Sequence, residues 1–408
     1  MKKWNPDVEK GKGSRSLTAI ITDVHYRMSL ALIRDLAEAG VRLICCEREG
    51  MASPLGFRSR HVRESVLLPA KEFLDALYDL CAGVAEQEGI RPALLPVGAS
   101  TLAALAPAEV RKRFAPVCGL HIPSPAQLDL FNSKAAVAEL GERLGIPLPQ
   151  SFVRTEGESL SDFSARLALP CVVKPLCGEK LGLTAALRYA IAATPAAAEQ
   201  HYQHFWDLAG EPPLVQEYLS GGGLGCSVLA DQGRVIASIC HRRVREYPIT
   251  GGPSSCCDCV DRPDLTAWAA ALVEETGYTG LAMFEFKEDA SGSPRLLEVN
   301  PRIWGTFPLT RASRSGIPLL WCQLAWNQGN PDQALPLPEV PKPQSCRMRF
   351  AASDLMSGLG YARHGAPGRA WTALADLFRP SVRDGLWEWS DPGPGLMYYR
   401  SLIRKEKS

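Results

Sequence analysis

Two acidic residues and an asparagine are grouped in a strand–turn–strand pattern in the second half of the chain. Glu285 belongs to the apolar run LAMFEFK, while Glu298 and Asn300 lie at the end of the run that follows it. Residues two apart in a strand face the same side, so Glu298 and Asn300 converge, and a hairpin brings Glu285 beside them. Carboxylate and amide oxygens are ligands of the kind that hold Mg²⁺. Taken one by one, the same residues would fit a polar outer face of a sheet.

A lysine and a glycine-rich loop form a second group. Lys174 ends the apolar run PCVVK, and the loop after it contains Gly178, Lys180 and Gly182. A lysine at the end of an apolar strand places a positive charge beside a bound polyanion, and glycines let backbone N–H groups approach phosphate oxygens. An ordinary hairpin turn would have the same composition.

Two further segments carry polar groups. The run QEYL, residues 216–219, leads into three glycines at 221–223, which is typical of a hinge between two lobes. The run HRRVR, residues 241–245, places four ionisable side chains within five residues. In isolation such a run is a solvated basic edge, but beside a phosphate site it would stabilise transferring charge.

The composition limits the classes of function. The 408 residues contain 45 Lys and Arg against 44 Asp and Glu, which argues against nucleic-acid binding by overall charge. No apolar run reaches the length of a membrane span, and the N-terminus lacks the apolar core of a secretory signal, so we expect a cytoplasmic protein without membrane contact. The cluster Cys256, Cys257 and Cys259 lacks the second pair typical of zinc sites, so reduced structural thiols are expected.

The elements that position these residues follow from the hydrophobic pattern. Residues 16–22, 41–46 and 93–97 read as strands separated by helices at 28–39 and 73–88, which predicts an open parallel α/β domain. A helix is expected over 132–144, with Asn132 or Ser133 as its N-cap and Lys134 in its first turn. From Cys226 onward the pattern predicts antiparallel strands.

Taken in order, five segments resemble the motifs of the ATP-grasp superfamily, in particular its carboxylate–amine ligase-like members, which are similar to the carbamoyl-phosphate synthase large chain. The segments are NSKAAVAELGERLGIPLP, PCVVKP, LVQEYLSGGG, GLAMFEF and LLEVNPRIWG. The resemblance covers about residues 16–330. It implies an α/β fold with α+β lobes, divided into an N-terminal pre-ATP-grasp domain (1–120), a small lid lobe with its linker helix (121–225), a large lobe with the metal site (226–335) and a C-terminal extension (336–408).

The resemblance also implies roles for individual residues. Lys134 and Lys174 would contact the nucleotide phosphates, and the loop containing Gly178, Lys180 and Gly182 would cover them. The hinge would bind adenine through Gln216, Glu217, Tyr218 and Leu219, and the metal ligands would be Glu285, Glu298 and Asn300. The transferring phosphate would be contacted by Arg302, Lys174 and Arg243. Candidates for contact with a substrate carboxylate are His241, Arg245 and Trp304. Two positions depart from the pattern: 221–226 lacks the glutamate that binds ribose in many relatives, and Met283 replaces an arginine present in some.

The implied activity is an ATP-dependent ligation. A substrate carboxylate would become an acyl phosphate with release of ADP, and an amine would displace the phosphate to form an amide. The cofactors would be ATP and Mg²⁺, with Mn²⁺ as an alternative ion, and the partners would be small molecules, with a homodimer expected because dimers are common among such relatives. Two alternatives stay open: an ATP-dependent carboxylation or carbamoyl-type enzyme, and a catalytically inactive nucleotide-binding regulator.

Overall fold

The protein is described by a computed structural model that covers residues 17–51, 54–176, 181, 183, 189–249 and 251–405. The predicted phosphate-covering residues Gly178, Lys180 and Gly182 lie outside these ranges. Within them the chain folds into three β-sheets with helices packed on their faces, which confirms the expected mixed α/β class.

The N-terminal part is an open parallel sheet, as the alternating pattern predicts. Its strands lie in the order β3-β2-β1-β4, and all three neighbouring pairs are parallel. Its elements are β1 Thr18–Ile21, α1 Ser29–Glu38, β2 Arg42–Arg48, β3 Glu64–Leu68, α2 Phe73–Glu88, β4 Ala93–Leu95, α3 Ala99–Leu105 and α4 Ala108–Phe114. The edge strand β3 was not predicted, because most of its side chains are exposed and its sequence lacks a buried face.

Two helices connect this sheet to the rest of the chain: α5 Pro125–Asn132 and α6 Lys134–Arg143. The Ser133 hydroxyl accepts a hydrogen bond from the Ala136 N–H at 3.3 Å, so Ser133 is the N-cap of α6 and Lys134 is its first residue. Both helices contact the same strand of the large lobe described below. The cap and these contacts therefore fix the position of Lys134 relative to that strand.

A small lobe follows, built on an antiparallel sheet in the order β5-β8-β6-β7. Phe163, Tyr202 and Phe205 from two helices cover one face of this sheet and form its core with Val173 and Val215. The elements are β5 Ser151–Phe152, α7 Leu160–Ala165, β6 Cys171–Lys174, β7 Ala190–Ala192, α8 Pro195–Ala209 and β8 Leu214–Glu217. Lys174 is the last residue of β6, as expected.

The large lobe is a seven-stranded sheet in the order β13-β12-β9-β10-β11-β14-β15, antiparallel except for the last pair. One face buries Phe284 and Phe286 under α9, and the other buries Met283 and Leu281 against the helices that follow β13. The elements are β9 Gly223–Asp231, β10 Arg234–Glu246, β11 Ser254–Val260, α9 Pro263–Glu275, β12 Gly280–Glu288, β13 Pro294–Asn300, α10 Pro308–Ala312 and α11 Ile317–Gly329.

The C-terminal segment extends this sheet and is joined to it by buried ion pairs. Its elements are β14 Arg347–Arg349, α12 Ala351–Arg363, α13 Pro367–Ala375, β15 Val382–Asp384 and α14 Gly393–Lys405. Arg245 of β10 donates to both Asp354 oxygens, at 2.7 and 2.9 Å, and to Asp376 at 2.6 Å, with all three side chains almost fully buried. Throughout the described ranges, no helix has the length and apolar character needed to cross a membrane.

The cysteine-rich segment 254–260 is strand β11. Burial raises the pKa of Cys256 and of Cys259 to about 12, so both thiols stay protonated at neutral pH. In the part of the chain that the structure describes, no group of three His, Cys, Asp or Glu side chains is arranged to hold a metal ion. These cysteines serve the packing of the sheet.

The Arg245 network generates a stability prediction. Replacing Arg245 by methionine leaves two carboxylates buried without a cation, so Arg245→Met should lower the free energy of unfolding by about 3–5 kcal/mol. The matched control is Arg242→Met, because the Arg242 side chain is 55% exposed and its loss should cost less than about 0.5 kcal/mol. Urea denaturation followed by circular dichroism measures both, and equal midpoints for the two variants would contradict this role of Arg245.

Candidate active site

A row of paired residues crosses the large sheet and places two carboxylates side by side. Glu285 of β12 is opposite Glu298 of β13 on one side and opposite Gly225 of β9 on the other. Gly225 is in turn opposite His241 of β10. We call these four residues, Glu298, Glu285, Gly225 and His241, the carboxylate row. Directly opposite residues on neighbouring strands have their Cβ atoms about 5 Å apart, and like charges there repel each other. The carboxylates therefore need cations close by.

Glu298 obtains its cations from two other parts of the chain. The Lys134 ammonium lies 3.1 Å from Glu298 Oε2, and Lys174 is the second positive neighbour. Burial opposes ionisation of Glu298, but these lysines and a hydrogen bond to Asn300 outweigh it and keep the pKa of Glu298 below its ordinary value. The predicted metal ligands Glu298 and Asn300 thus lie on one face, two residues apart, as expected.

Glu285 is paired with an arginine. Arg243 Nη2 donates to Glu285 Oε1 at 2.7 Å, and Arg243 Nη1 lies 3.5 Å from Glu246 Oε1. Burial raises the pKa of Glu285, and the neighbouring charge of Glu298 acts in the same direction, while Arg243 opposes both. The site therefore contains one carboxylate that is held ionised and one that is easier to protonate.

Two glycines of β9 make room for side chains that cross the sheet. A Cβ atom on Gly225 would lie 2.3 Å from His241 Cε1, and one on Gly223 would lie 2.8 Å from Arg243 Cδ. The glycines therefore let Arg243 reach over β9 to Glu285. The His241 side chain fills the space above Gly225, where burial, with a smaller effect of Arg243, lowers its pKa to about 3, so it is neutral at physiological pH.

Lys174 comes to the same place from the small lobe. Burial lowers its pKa to about 8, Lys134 adds to this effect, and Glu298 and Glu285 oppose it. The lysine is therefore mostly charged at neutral pH and loses its charge a little above it. Three positive groups from α6, β6 and β10 converge on the two carboxylates.

The side chains of the predicted hinge, residues 216–217, are fixed within the small lobe by hydrogen bonds. Glu217 Oε1 accepts from the Gln150 N–H at 2.9 Å, and Gln216 Nε2 donates to Ser151 Oγ at 3.1 Å, so both side chains fasten β8 to β5. The Lys287 ammonium of the large lobe lies 5.2 Å from the centre of the Tyr218 ring, a cation–π contact. An aromatic ring of the hinge and a lysine of β12 thus face each other where the two lobes meet.

The glycine segment after the hinge is held in place by backbone pairing. The Gly221 N–H donates to the Glu288 carbonyl at 2.9 Å, and the Glu288 N–H donates to the Gly222 carbonyl at 3.0 Å. A Cβ atom on Gly221 would lie 2.6 Å from that carbonyl oxygen. Glycine is needed here because two backbones approach each other closely.

Arg302 connects the carboxylate row to a cavity. Its Nη2 donates to Asn300 Oδ1 at 3.0 Å, and its Nη1 donates to the Ile303 carbonyl at 3.1 Å. The same arginine lines a cavity of about 190 Å³ between α3 and α5. Asp129 and Asn132 are the other polar lining residues, and the apolar wall consists of Ala99, Leu102, Ala103, Ala106, Pro107, Pro125, Leu128 and Pro301.

Comparisons with known proteins identify the architecture. Residues 210–345, a third of the chain, match a family model described as "ATP-grasp in the biosynthetic pathway with Ter operon". The biotin carboxylase of Campylobacter jejuni, solved as a β,γ-ATP complex, superposes with a TM-score of 0.60 at 16% identity, over 79% of this chain and 72% of that chain. This protein has the ATP-grasp fold.

Two other structures show the same fold at low identity. The biotin carboxylase domain of Hydrogenobacter thermophilus 2-oxoglutarate carboxylase, solved with MgADP and bicarbonate, gives a TM-score of 0.57 at 15% identity, over 81% of this chain and 72% of that chain. The L-amino acid ligase of Bacillus licheniformis gives 0.53 at 14% identity, over 79% and 78%. No curated protein sequence matches the chain.

Two of the residues predicted to contact the substrate are buried in the protein. The Trp304 side chain is 1% exposed and packs against Phe307 in the core between the large sheet and α11. Arg245 is enclosed by Asp354 and Asp376, as described above. Because both side chains are surrounded by protein, the substrate contacts predicted for them are corrected to structural roles. His241 remains in the carboxylate row as a buried, neutral side chain.

Two residues near the site, Lys287 and Tyr26, were not predicted from the sequence. Lys287 follows Glu285 by two residues, so strand alternation was a signal that would have placed it on the same face. Tyr26, in the loop after β1, lies near Arg302 in the folded chain, although 276 positions separate them. No local pattern predicts that proximity, because it depends on how the N-terminal sheet packs beside β13.

The pKa of Lys174 generates a prediction for nucleotide binding. The charged form of this lysine favours an anionic ligand, so the affinity for ATP should fall about tenfold between pH 7 and pH 9, as the lysine loses its proton through about pH 8. Lys174→Arg keeps its charge over this range and should remove most of the pH dependence. Isothermal titration calorimetry at both pH values tests this, and the same pH dependence in the two proteins would contradict the assignment.

Proposed function

We propose that this protein is an ATP-dependent ligase that activates a substrate carboxylate as an acyl phosphate, with release of ADP, and transfers the acyl group to an amine. The observation that carries the proposal is the paired row of Glu298 and Glu285 with cations from three separate elements, Lys134, Lys174 and Arg243, in a chain with the ATP-grasp fold. The proposal explains why two acidic side chains are kept adjacent in a partly buried position.

The residues present fit a nucleotide with a divalent cation. Two carboxylates and an amide oxygen, from Glu285, Glu298 and Asn300, are a ligand set suited to Mg²⁺ or Mn²⁺, and the bound ion would neutralise charge on the phosphates. Lys134 and Lys174 would contact the phosphate oxygens as point charges. The adenine would lie along the hinge, against Tyr218 and the backbone of residues 217–219, because the side chains of Gln216 and Glu217 are used to join β8 to β5.

Phosphoryl transfer depends on positioning and charge neutralisation more than on a protein nucleophile. The substrate carboxylate would attack the terminal phosphorus of ATP, the bond from that phosphorus to the bridging oxygen would break, and ADP would leave. The amine would then attack the carbonyl carbon of the acyl phosphate, and phosphate and a proton would leave as the amide forms. Arg243 and Arg302 would stabilise the charge on the transferring phosphate, and Lys174 would do so from the opposite lobe. The loop containing Gly178, Lys180 and Gly182 would cover the acyl phosphate and limit its hydrolysis.

The cavity beside Arg302 is the proposed place of the substrate to be activated. Arg302 would bind a carboxylate, and Asp129 provides a negative group for an ammonium. The apolar wall from α3 and α5 favours an organic substrate over bicarbonate, because most of a cavity of about 190 Å³ would stay unfilled around so small an ion. The L-amino acid ligase among the similar structures is in keeping with this reading.

A carboxylase is the second candidate. The similar structures include biotin carboxylases, one of them solved with bicarbonate. In that reading Arg302 would bind the bicarbonate, and the apolar wall of the cavity would have no assigned contact. The retention of the full set of charged side chains argues against an inactive regulator.

We also propose that the ligase acts in the cytoplasm, where ATP is supplied, and that it assembles as a homodimer.

The products of ATP cleavage test the ligase chemistry. With Mg-ATP, a panel of carboxylates and a panel of amines, the purified protein should release ADP and phosphate in a substrate-dependent manner. Glu298→Gln should lower this rate by at least about 10²-fold, because it removes a charge from the metal ligands. Glu86→Gln, on the exposed face of α2, is the matched control and should keep the wild-type rate.

Two outcomes would contradict the proposal. Release of AMP and pyrophosphate would exclude an acyl phosphate. ADP release that requires bicarbonate, and no other carboxylate, would favour the carboxylase.

A further inference from the structure

The C-terminal helix pair leaves large apolar side chains in solvent. On α12, Leu355, Met356 and Leu359 are 39%, 43% and 53% exposed. On and just after α13, Trp371 and Phe378 are 69% and 80% exposed. We call the outward faces of these two helices the α12–α13 surface, consisting of Leu355, Met356, Leu359, Arg363, Trp371, Leu374 and Phe378.

These apolar side chains do not belong to the buried core. The inward side of α12 already buries Ser357, Gly358 and Tyr361, and a Cβ atom on Gly358 would lie 3.1 Å from the Ala373 Cβ of α13. The helices are thus closely packed against each other through small residues. Leu355, Leu359 and Arg363 follow one another at intervals of four residues, which places them in one stripe on the opposite side.

The exposed charged side chains of the stretch that carries this surface are of one sign. Between residues 351 and 383 the chain has only two carboxylates, Asp354 and Asp376, and both are buried with Arg245. The arginines of the same stretch are exposed: Arg363, Arg369, Arg379 and Arg383, of which Arg379 also contacts Asp376 at 3.2 Å. The α12–α13 surface therefore combines exposed aromatic and aliphatic side chains with cations, and its own stretch has no exposed anion.

We propose that the α12–α13 surface binds peripherally to an anionic membrane surface. Helices with one apolar face bearing Trp, Phe or Leu, bordered by basic side chains, lie in the interface of a bilayer, where apolar burial and attraction to anionic lipid act together. A second copy of this chain is the poorer occupant, because it would bring two sets of arginines face to face. The proposal departs from the expectation of no membrane contact, and it requires no membrane-spanning helix.

Co-sedimentation of the full chain with vesicles tests this directly. The protein should pellet with vesicles made of equal parts phosphatidylserine and phosphatidylcholine, should stay in solution with phosphatidylcholine alone, and should be released as salt is raised. Arg363→Gln should weaken binding about fivefold. The double variant Trp371→Ser, Phe378→Ser should weaken it about tenfold or more.

A control distinguishes binding through this surface from nonspecific binding of vesicles by exposed apolar side chains. Val153 is 76% exposed on the small lobe, so Val153→Ser should bind vesicles like the wild type. Circular dichroism checks that each variant is folded, which is expected because the changed side chains are exposed. The proposal is overturned if wild-type protein does not pellet with the mixed vesicles, or if the double variant binds as well as wild type. It is also overturned if light scattering shows a dimer that the double variant abolishes while vesicle binding is absent.

Discussion

The site depends on holding two carboxylates next to each other on neighbouring strands. Glu285 and Glu298 are directly opposite in the β12–β13 pair. Two unit charges about 5 Å apart repel each other by about 3 kcal/mol at an effective dielectric constant of about 20. Lys134, Lys174 and Arg243 offset this repulsion, and they come from the linker helix, the small lobe and the large lobe. The linker helix, the small lobe and the large lobe are therefore held together at the site by electrostatic attraction as well as by packing.

The different roles of Arg243 and Arg245 depend on an irregularity of β10 that lies between them. Arg243 is opposite Cys257 and Arg245 is opposite Cys256, so the register shifts by a bulge between them. The bulge turns the two arginines to opposite faces of the sheet, although residues two apart normally share a face. One arginine then serves the carboxylate row and the other anchors the C-terminal segment through Asp354 and Asp376.

Much of this arrangement was predictable from the sequence because it is local. The pairing of Glu298 with Asn300, the position of Lys174 at a strand end and the capping of α6 by Ser133 each follow from a few neighbouring residues. The misassigned side chains depend on long-range packing. Arg245 appeared to continue a basic run, but the bulge turns it toward carboxylates that lie more than 100 residues further along the chain.

Trp304 shows the same limit in a different way. It lies next to functional residues in the sequence, yet α10 and α11 fold back over the sheet and bury its ring. A position beside a motif therefore says little about whether a side chain reaches the cleft. The cavity at Arg302 was equally hidden, because its walls come from α3 and α5 and only meet β13 in the folded chain.

The central claim is that the Glu285–Glu298 row with its three cations is a nucleotide and metal site. A crystal structure of the protein grown with Mg²⁺ and a non-hydrolysable ATP analogue tests it most directly. We expect a metal ion at about 2.0–2.1 Å from oxygens of Glu285, Glu298 and Asn300, with the terminal phosphate contacting Lys134 and Lys174. Nucleotide bound elsewhere, or bound here while both carboxylates remain paired only with protein cations, would contradict the claim.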